Sequence, residues 1–193
     1  MRTVIGRNLL AISAVLAFAA GGANAKECLG VSFPEQAQVA GTTLSLNGLG
    51  LRLATFLKVR VYVAALYTAK PSSDPGSILA SSAPNELILQ FVRDVGVDDI
   101  RGAWNDGFDK NAKAQLPALK ARIATLNGWM TDIKTGQRMT FTSKPGAGLQ
   151  VNVNGTAKGT IAGDDFAKAS LLIWLGDPAN PEIKAGLLGG TCG

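Results

Sequence analysis

"LGLRLATFLKVRVYVAALY", residues 49–67, decides how this chain is read. Apolar residues alternating with small or charged ones mark extended structure. In residues 49–54 the odd positions Leu49, Leu51 and Leu53 are large and apolar, while the even ones are Gly50, Arg52 and Ala54. In residues 57–67 the odd positions Leu57, Val59, Val61 and Val63 repeat that choice, and the even ones begin Lys58, Arg60, Tyr62. Successive side chains of a strand point to opposite faces, so two strands sharing an apolar face put Arg52, Arg60 and Tyr62 together on the other. Paired antiparallel, Arg52 lies opposite or diagonal to Arg60 and Tyr62, close enough for like charges to repel. Such a cluster is tolerated on a wet outer face, or where an anion lies between the cations. The first reading is a solvated sheet surface. The second is a site for an anion of carboxylate or phenolate size, with Arg52 as charge partner, Tyr62 as hydroxyl donor and Gly50 leaving backbone room for the ligand.

Working outward, "TTLSLNGLGLRL" alternates on both sides of Asn47-Gly48, which predicts a hairpin turn at that pair, and a bend near Thr55-Phe56 leads into the next strand. "KPSSDPGS" is a loop whose Asp74-Pro75 opens a short helix, and "NELILQFV" is a strand. Ile100, Trp104, Phe108 and Ala112 then recur four apart, one face of a helix capped by Asp98. Pro117 interrupts, and Leu119, Ile123 and Leu126 mark a second helix. "RMTFTS", "GLQVNVNG" and "AKGTIAG" read as strands with Asn154-Gly155 as a turn. "DDFAKASLLIWLG" is the last long helix, and "PEIKAGLLGG" closes the chain with a turn or short helix. The expected fold class is α+β, a curled antiparallel sheet with helices packed on one face.

The N-terminus carries Arg2 and Arg7, an apolar run from Leu9 to Ala20, and Ala23-Asn24-Ala25 in the small-x-small pattern of a cleavage site. Residues 1–25 are therefore expected to be a secretory signal, with residues 26–193 as a single exported domain, periplasmic or secreted, without a stable membrane span. Losing the leader removes two cations and no acid from a net charge of +5, too mild and too scattered for a nucleic-acid partner. Cys28 and Cys192 stand near the two ends of that domain, and the sequence leaves open whether they are bridged or free. The chain has no histidine, which excludes Ser-His-Asp and Cys-His nucleophiles and any histidine metal site. No metal site and no cofactor is expected, and chemistry would fall to Arg, Lys, Tyr, carboxylates or backbone dipoles. Asp98-Asp99 and Asp164-Asp165 read as helix openers, favoured by the helix dipole, not as a catalytic carboxylate pair.

The blocks "LNGLGLR" and "FLKVRVYVAALY", followed by "F…A…LLIWLG" and "LLG" near the end, resemble the bacterial branch of the chalcone isomerase-like proteins over nearly all of residues 26–193. The resemblance implies a ligand cleft between a curled sheet and its helices. Plant members cyclise a phenolate onto an enone, using a strand arginine, a strand threonine and a helix motif Tyr-x-x-Lys-x-x-x-Asn. The arginine corresponds to Arg52 and the threonine falls near Tyr62, which makes these two the candidate catalytic pair. The helix motif corresponds to Trp104, Gly107 and Asn111, so its phenol and lysine are lost. Other members hold fatty acids without catalysis, an arginine and a tyrosine gripping the carboxylate, and Arg52 with Tyr62 fits that pair. The expected function is binding of a small apolar anion, a fatty acid or a phenolic, by Arg52, Arg60 and Tyr62 with Trp104, Phe108 and Asn111 lining the cleft. The alternatives are a chalcone isomerase-type intramolecular lyase, and a structural periplasmic protein without a ligand.

Overall fold

The computed structural model describes residues 24–178 and 180–192, so the leader expected over 1–25 falls almost wholly outside them. A hairpin of β1 (Ala25–Cys28) and β2 (Val31–Pro34) precedes a seven-stranded antiparallel sheet that follows chain order: β3 (Gln36–Val39), β4 (Thr42–Ala54), β5 (Val59–Thr68), β6 (Asn85–Phe91), β7 (Arg138–Lys144), β8 (Gly148–Val153) and β9 (Thr156–Ile161). The helices are α1 (Pro75–Ala80), α2 (Val97–Ala112), α3 (Leu116–Trp129), α4 (Asp164–Leu175) and α5 (Pro181–Leu187). This is the α+β antiparallel architecture that the sequence predicts. The three strands before Thr42 are additions to that reading.

Two cores form, one on each side of the sheet. On the helix side Tyr62, Ala64 and Leu66 of β5 join Leu87, Leu89, Met139 and Phe141 beneath Ile100, Trp104, Phe108 and Phe166. On the other side Val63, Ala65 and Tyr67 join Leu44, Leu46, Leu49 and Leu51 beneath Cys28 and Phe33 of the β1–β2 hairpin. A strand whose faces are both covered needs apolar residues at every position, which explains the unbroken run "VYVAALY". Tyr67 spends its hydroxyl on the Pro34 carbonyl at 2.8 Å, fastening the hairpin to the sheet. Cys28 and Cys192 are bridged, closing a loop 164 residues apart and tying the C-terminal segment to β1.

Asn47-Gly48 is not a turn. β4 runs straight through it as a bulge: Leu46 faces Tyr67 and Gly48 faces Leu66, leaving Asn47 unpaired in the ladder. The buried Asn47 amide donates to the Leu187 carbonyl at 2.7 Å and to the Ser72 carbonyl at 3.0 Å, and its oxygen accepts from the Ser72 N–H at 2.7 Å. The extra residue changes the phase of the strand. Leu44 and Leu46 before it share a face with Leu49 and Leu51 after it, and Gly48, Gly50 and Arg52 are turned to the helices.

The space beside Gly50, expected to admit a ligand, is filled by α5. A Cβ at Gly48 would collide with the Gly186 carbonyl oxygen, one at Gly50 with that of Ile183, and one at Gly186 with that of Leu49. Glycine at these three positions lets helix and strand meet backbone to backbone. Helix α2 also starts differently from expectation: Gly96 is the capping residue, and Asp98 and Asp99 sit inside the first turn, where the dipole favours them.

Gly50→Ala is expected to lower the unfolding free energy by about 1–3 kcal/mol in a urea titration, because backbone cannot yield to the new methyl. Gly102→Ala, inside α2 with open space at its Cβ position, should instead raise it by about 0.5–1 kcal/mol.

Candidate functional site

Arg52 faces Tyr62 directly across the β4–β5 ladder, and the next pair is Leu53 with Arg60, so Val61 is a second extra residue. Val61 packs into the helix-side core together with Tyr62, while Leu53 packs into the opposite core. Arg60, paired with Leu53, is exposed on that opposite face. The structure therefore brings Arg52 and Tyr62 together and takes Arg60 away from them. Lys58 lies in the tight turn before β5 and reaches Glu182 at 3.5 Å on the surface.

The half-buried Arg52 guanidinium donates to its neighbour's carbonyl at Leu53 and, at 3.1 Å, to the side-chain oxygen of Asn180. Asn180 is buried and stitches β4 to the start of α5: its oxygen also accepts from the Leu53 N–H at 3.2 Å, and its amide donates to the Leu51 carbonyl at 3.1 Å. Arg52 makes no ion pair among the described residues. Its charge is held by neutral oxygens, which orient a guanidinium without neutralising it.

Tyr62 is buried beneath α4, where its hydroxyl accepts from the Trp174 indole N–H at 3.0 Å. With the lone pair engaged, its own proton is free to donate. Burial pushes the phenol above its ordinary value, outweighing the Trp174 hydrogen bond and the nearby Arg52 charge, both of which pull it down. The group is a neutral donor beside a cation. Trp104, only 3% exposed, stacks edge-on against Trp174 with ring centres 5.3 Å apart, and its indole N–H has no partner. A buried N–H without an acceptor is costly.

These residues share one cleft with two lobes. A lobe of about 380 Å³ opens between α2 and the segment after α4, lined by Arg52, Tyr62, Trp104, Trp174, Ile173 and Ile183. A second of about 310 Å³ opens toward the β4–β5 turn, lined by Arg52, Tyr62 and Trp104 again, with Val61, Phe91 and Ile100. Four aspartates, Asp98, Asp99, Asp106 and Asp177, stand along the first lobe.

The other expected lining residues are elsewhere. Phe108 is fully buried and packs on Phe166 at 5.6 Å between ring centres, inside the core. Asn111 closes the end of α2 onto the loop after α4, accepting from the Asp177 N–H at 2.6 Å and donating to the Gly107 carbonyl at 3.0 Å. Sequence reasoning did not single out Trp174 and Asn180 as site residues. Trp174 lies in an apolar helical run and reads as core, and Asn180 before Pro181 reads as an ordinary helix cap.

The chalcone isomerase-like family model matches residues 25–189. This chain belongs to the chalcone isomerase-like family. Its fold is similar to the crystal structure of a fatty-acid binding protein from Arabidopsis thaliana, at 17% identity and a TM-score of 0.68, covering 86% of this chain and 96% of that one. No curated protein matches it in sequence. Gly107 has no room for a side chain, since any Cβ would come within 2.7 Å of Ile173 Cγ2.

Tyr62 and Tyr67 are the chain's only tyrosines, and burial raises both, Tyr67 to about 12 with Glu86 adding to the shift. A raised phenol contributes stability that is complete below the unfolded value of about 10 and lost as pH climbs beyond it. Tyrosinate absorbance is therefore expected to stay absent at pH 10 in the native protein and to rise together with loss of near-ultraviolet circular dichroism at higher pH. Phenolate appearing near pH 10 with the fold intact would contradict the burial of both hydroxyls.

Proposed function

We propose that this protein is an exported binder of a small apolar monoanion, with the ligand's carboxylate or phenolate held by Arg52 and Tyr62. The observation that carries this reading is a guanidinium without a carboxylate partner, set beside a neutral phenol whose proton is unspent, at the junction of two lobes. A charged acceptor bridging the two would satisfy both at once. Trp104, with its unpartnered N–H, lines the same junction. The apolar part of the ligand would lie against Val61, Phe91 and Ile100. Each lobe is within the usual range for small-molecule sites, roughly 300–1,000 Å³.

The aspartates along the first lobe narrow the class. Asp99 and Asp106, which make no ion pair among the described residues, would repel a second negative charge and so favour a monocarboxylate over a dicarboxylate or phosphate. Fatty acids are the leading candidates, supported by the similarity in fold to a fatty-acid binding protein. The isomerase reading has less behind it, because Trp104 and Gly107 supply neither the phenol nor the ammonium of the catalytic helix. Export is supported by the leader-like N-terminus and by the bridge between Cys28 and Cys192, which suits an oxidising compartment. No helix among the described residues is long and apolar enough to cross a membrane.

Native mass spectrometry after gentle purification is expected to find a co-purified monoanion. In titrations with a medium-chain fatty acid, Arg52→Ala should weaken binding roughly ten- to a hundredfold and Tyr62→Phe roughly fivefold, the usual worth of a charged and a neutral hydrogen bond. A dicarboxylate of equal length should bind more weakly than the monocarboxylate. Unchanged affinity in Arg52→Ala would end this reading, and turnover of a hydroxychalcone lost in the same variant would replace it with the isomerase.

A further inference from the structure

The turn between β4 and β5 presents two adjacent large apolar side chains to solvent, Phe56 at 92% exposed and Leu57 at 69%. Isolated exposed apolar residues are ordinary, but a neighbouring pair at the tip of a hairpin marks a contact surface. The backbone here is held at a cost. Thr55 and Lys58 have φ of 60° and 51°, the left-handed region that a β-branched residue rarely adopts. The Lys58 N–H bonds to the Thr55 carbonyl at 3.1 Å and the Leu57 N–H to the Thr55 hydroxyl at 3.3 Å, so the turn is fixed by its own hydrogen bonds. Asn or Gly would make this turn more easily, yet the four residues are Thr-Phe-Leu-Lys.

Two free cations flank the tip among the described residues: Lys58 beside it is paired with Glu182, but Arg60 is exposed just beyond, and Arg93 stands beside the base of the hairpin, where the Val92 N–H bonds to the Val61 carbonyl at 3.0 Å. Arg60 and Arg93 make no ion pair among the described residues. The base of the turn is also a wall of the cleft, since Ala54, Thr55 and Arg93 line the lobe that contains Arg52 and Tyr62. Two apolar side chains are far too little for a stable protein interface, which takes about 20–30 residues a side. An anionic lipid surface needs no more than such a tip, with apolar side chains at the acyl boundary and cations at the phosphates.

We propose that the Phe56-Leu57 tip docks this protein on an anionic lipid bilayer, with Arg60 and Arg93 against the headgroups and the lobe lined by Ala54, Thr55 and Arg93 next to the membrane. That the docked cleft takes its ligand from the bilayer rests on the function proposed above; docking itself does not.

The test uses the purified full chain carrying Phe56→Trp, with vesicles of mixed phosphatidylcholine and phosphatidylglycerol. Tip insertion should shift the new indole's emission to the blue and make it quenchable by brominated lipid, a signal read as the difference from the parent, whose Trp104 and Trp174 are buried and Trp129 half-buried. In flotation assays Phe56→Ser with Leu57→Ser should weaken vesicle binding at least about tenfold, and Arg60→Gln with Arg93→Gln should weaken it on anionic vesicles. Circular dichroism should be unchanged in both. Arg52→Ala should bind vesicles like the parent, so loss of the ligand site and loss of docking are read separately. An indole at position 56 that stays in water, or a serine variant that floats like the parent, would overturn the proposal. So would a tip that instead drives self-association without vesicle binding.

Discussion

The close approach of α5 to β4 is the constraint on which the rest of the site depends. Gly48, Gly50 and Gly186 keep their own side chains out of that contact, so helix and strand touch backbone to backbone. Asn47 makes the contact available. By adding one residue to the ladder it turns the glycines and Arg52 toward the helices while Leu44, Leu46, Leu49 and Leu51 stay on the opposite face. With α5 seated, Asn180 at its start reaches the β4 backbone on both sides of Arg52 and accepts a bond from the guanidinium itself. The arginine is thus aimed by a strand irregularity and a helix cap together.

The arrangement has an electrostatic consequence. A guanidinium sharing a lobe with four aspartates would ordinarily be expected to pair with one. Two of them are paired elsewhere, Asp177 with Lys110 at 2.8 Å and Asp98 with Arg101 at 3.6 Å, both exposed, and none of the four pairs with Arg52 among the described residues. On the proposed function, an arriving anion would meet the acids first and the guanidinium behind them, so selectivity by charge number and binding by charge sign would come from different residues.

Much of this was legible in the sequence, and the misses have physical causes. The helix periods, the turn at Asn154-Gly155 and the α+β class follow from local patterns. Arg52 opposite Tyr62 follows from strand alternation, because both lie between the two bulges. Arg60 fails for the reason that those succeed: parity counting survives only while the ladder is regular, and Val61 breaks it. Asn47-Gly48 carries the composition of a turn, yet the Asn side chain spends its bonds on Ser72 and Leu187, partners that no local reading can supply. The true turn, at residues 55–58, lacks Gly, Asn and Pro altogether, so its composition predicts only a bend leading into strand.

Helix α2 carries the last link between packing and chemistry. Gly107 lets Ile173 of α4 come so close that no side chain fits between them. The same approach of α4 brings Trp174, next to Ile173, against Trp104 and onto the Tyr62 hydroxyl. Indole at position 104 and glycine at 107 are therefore coupled through the spacing of two helices. A side chain at 107 would meet Ile173 Cγ2, Cγ1 and Cβ within 3.3 Å, so the Ile173 side chain beside Trp174 would have to move to admit it.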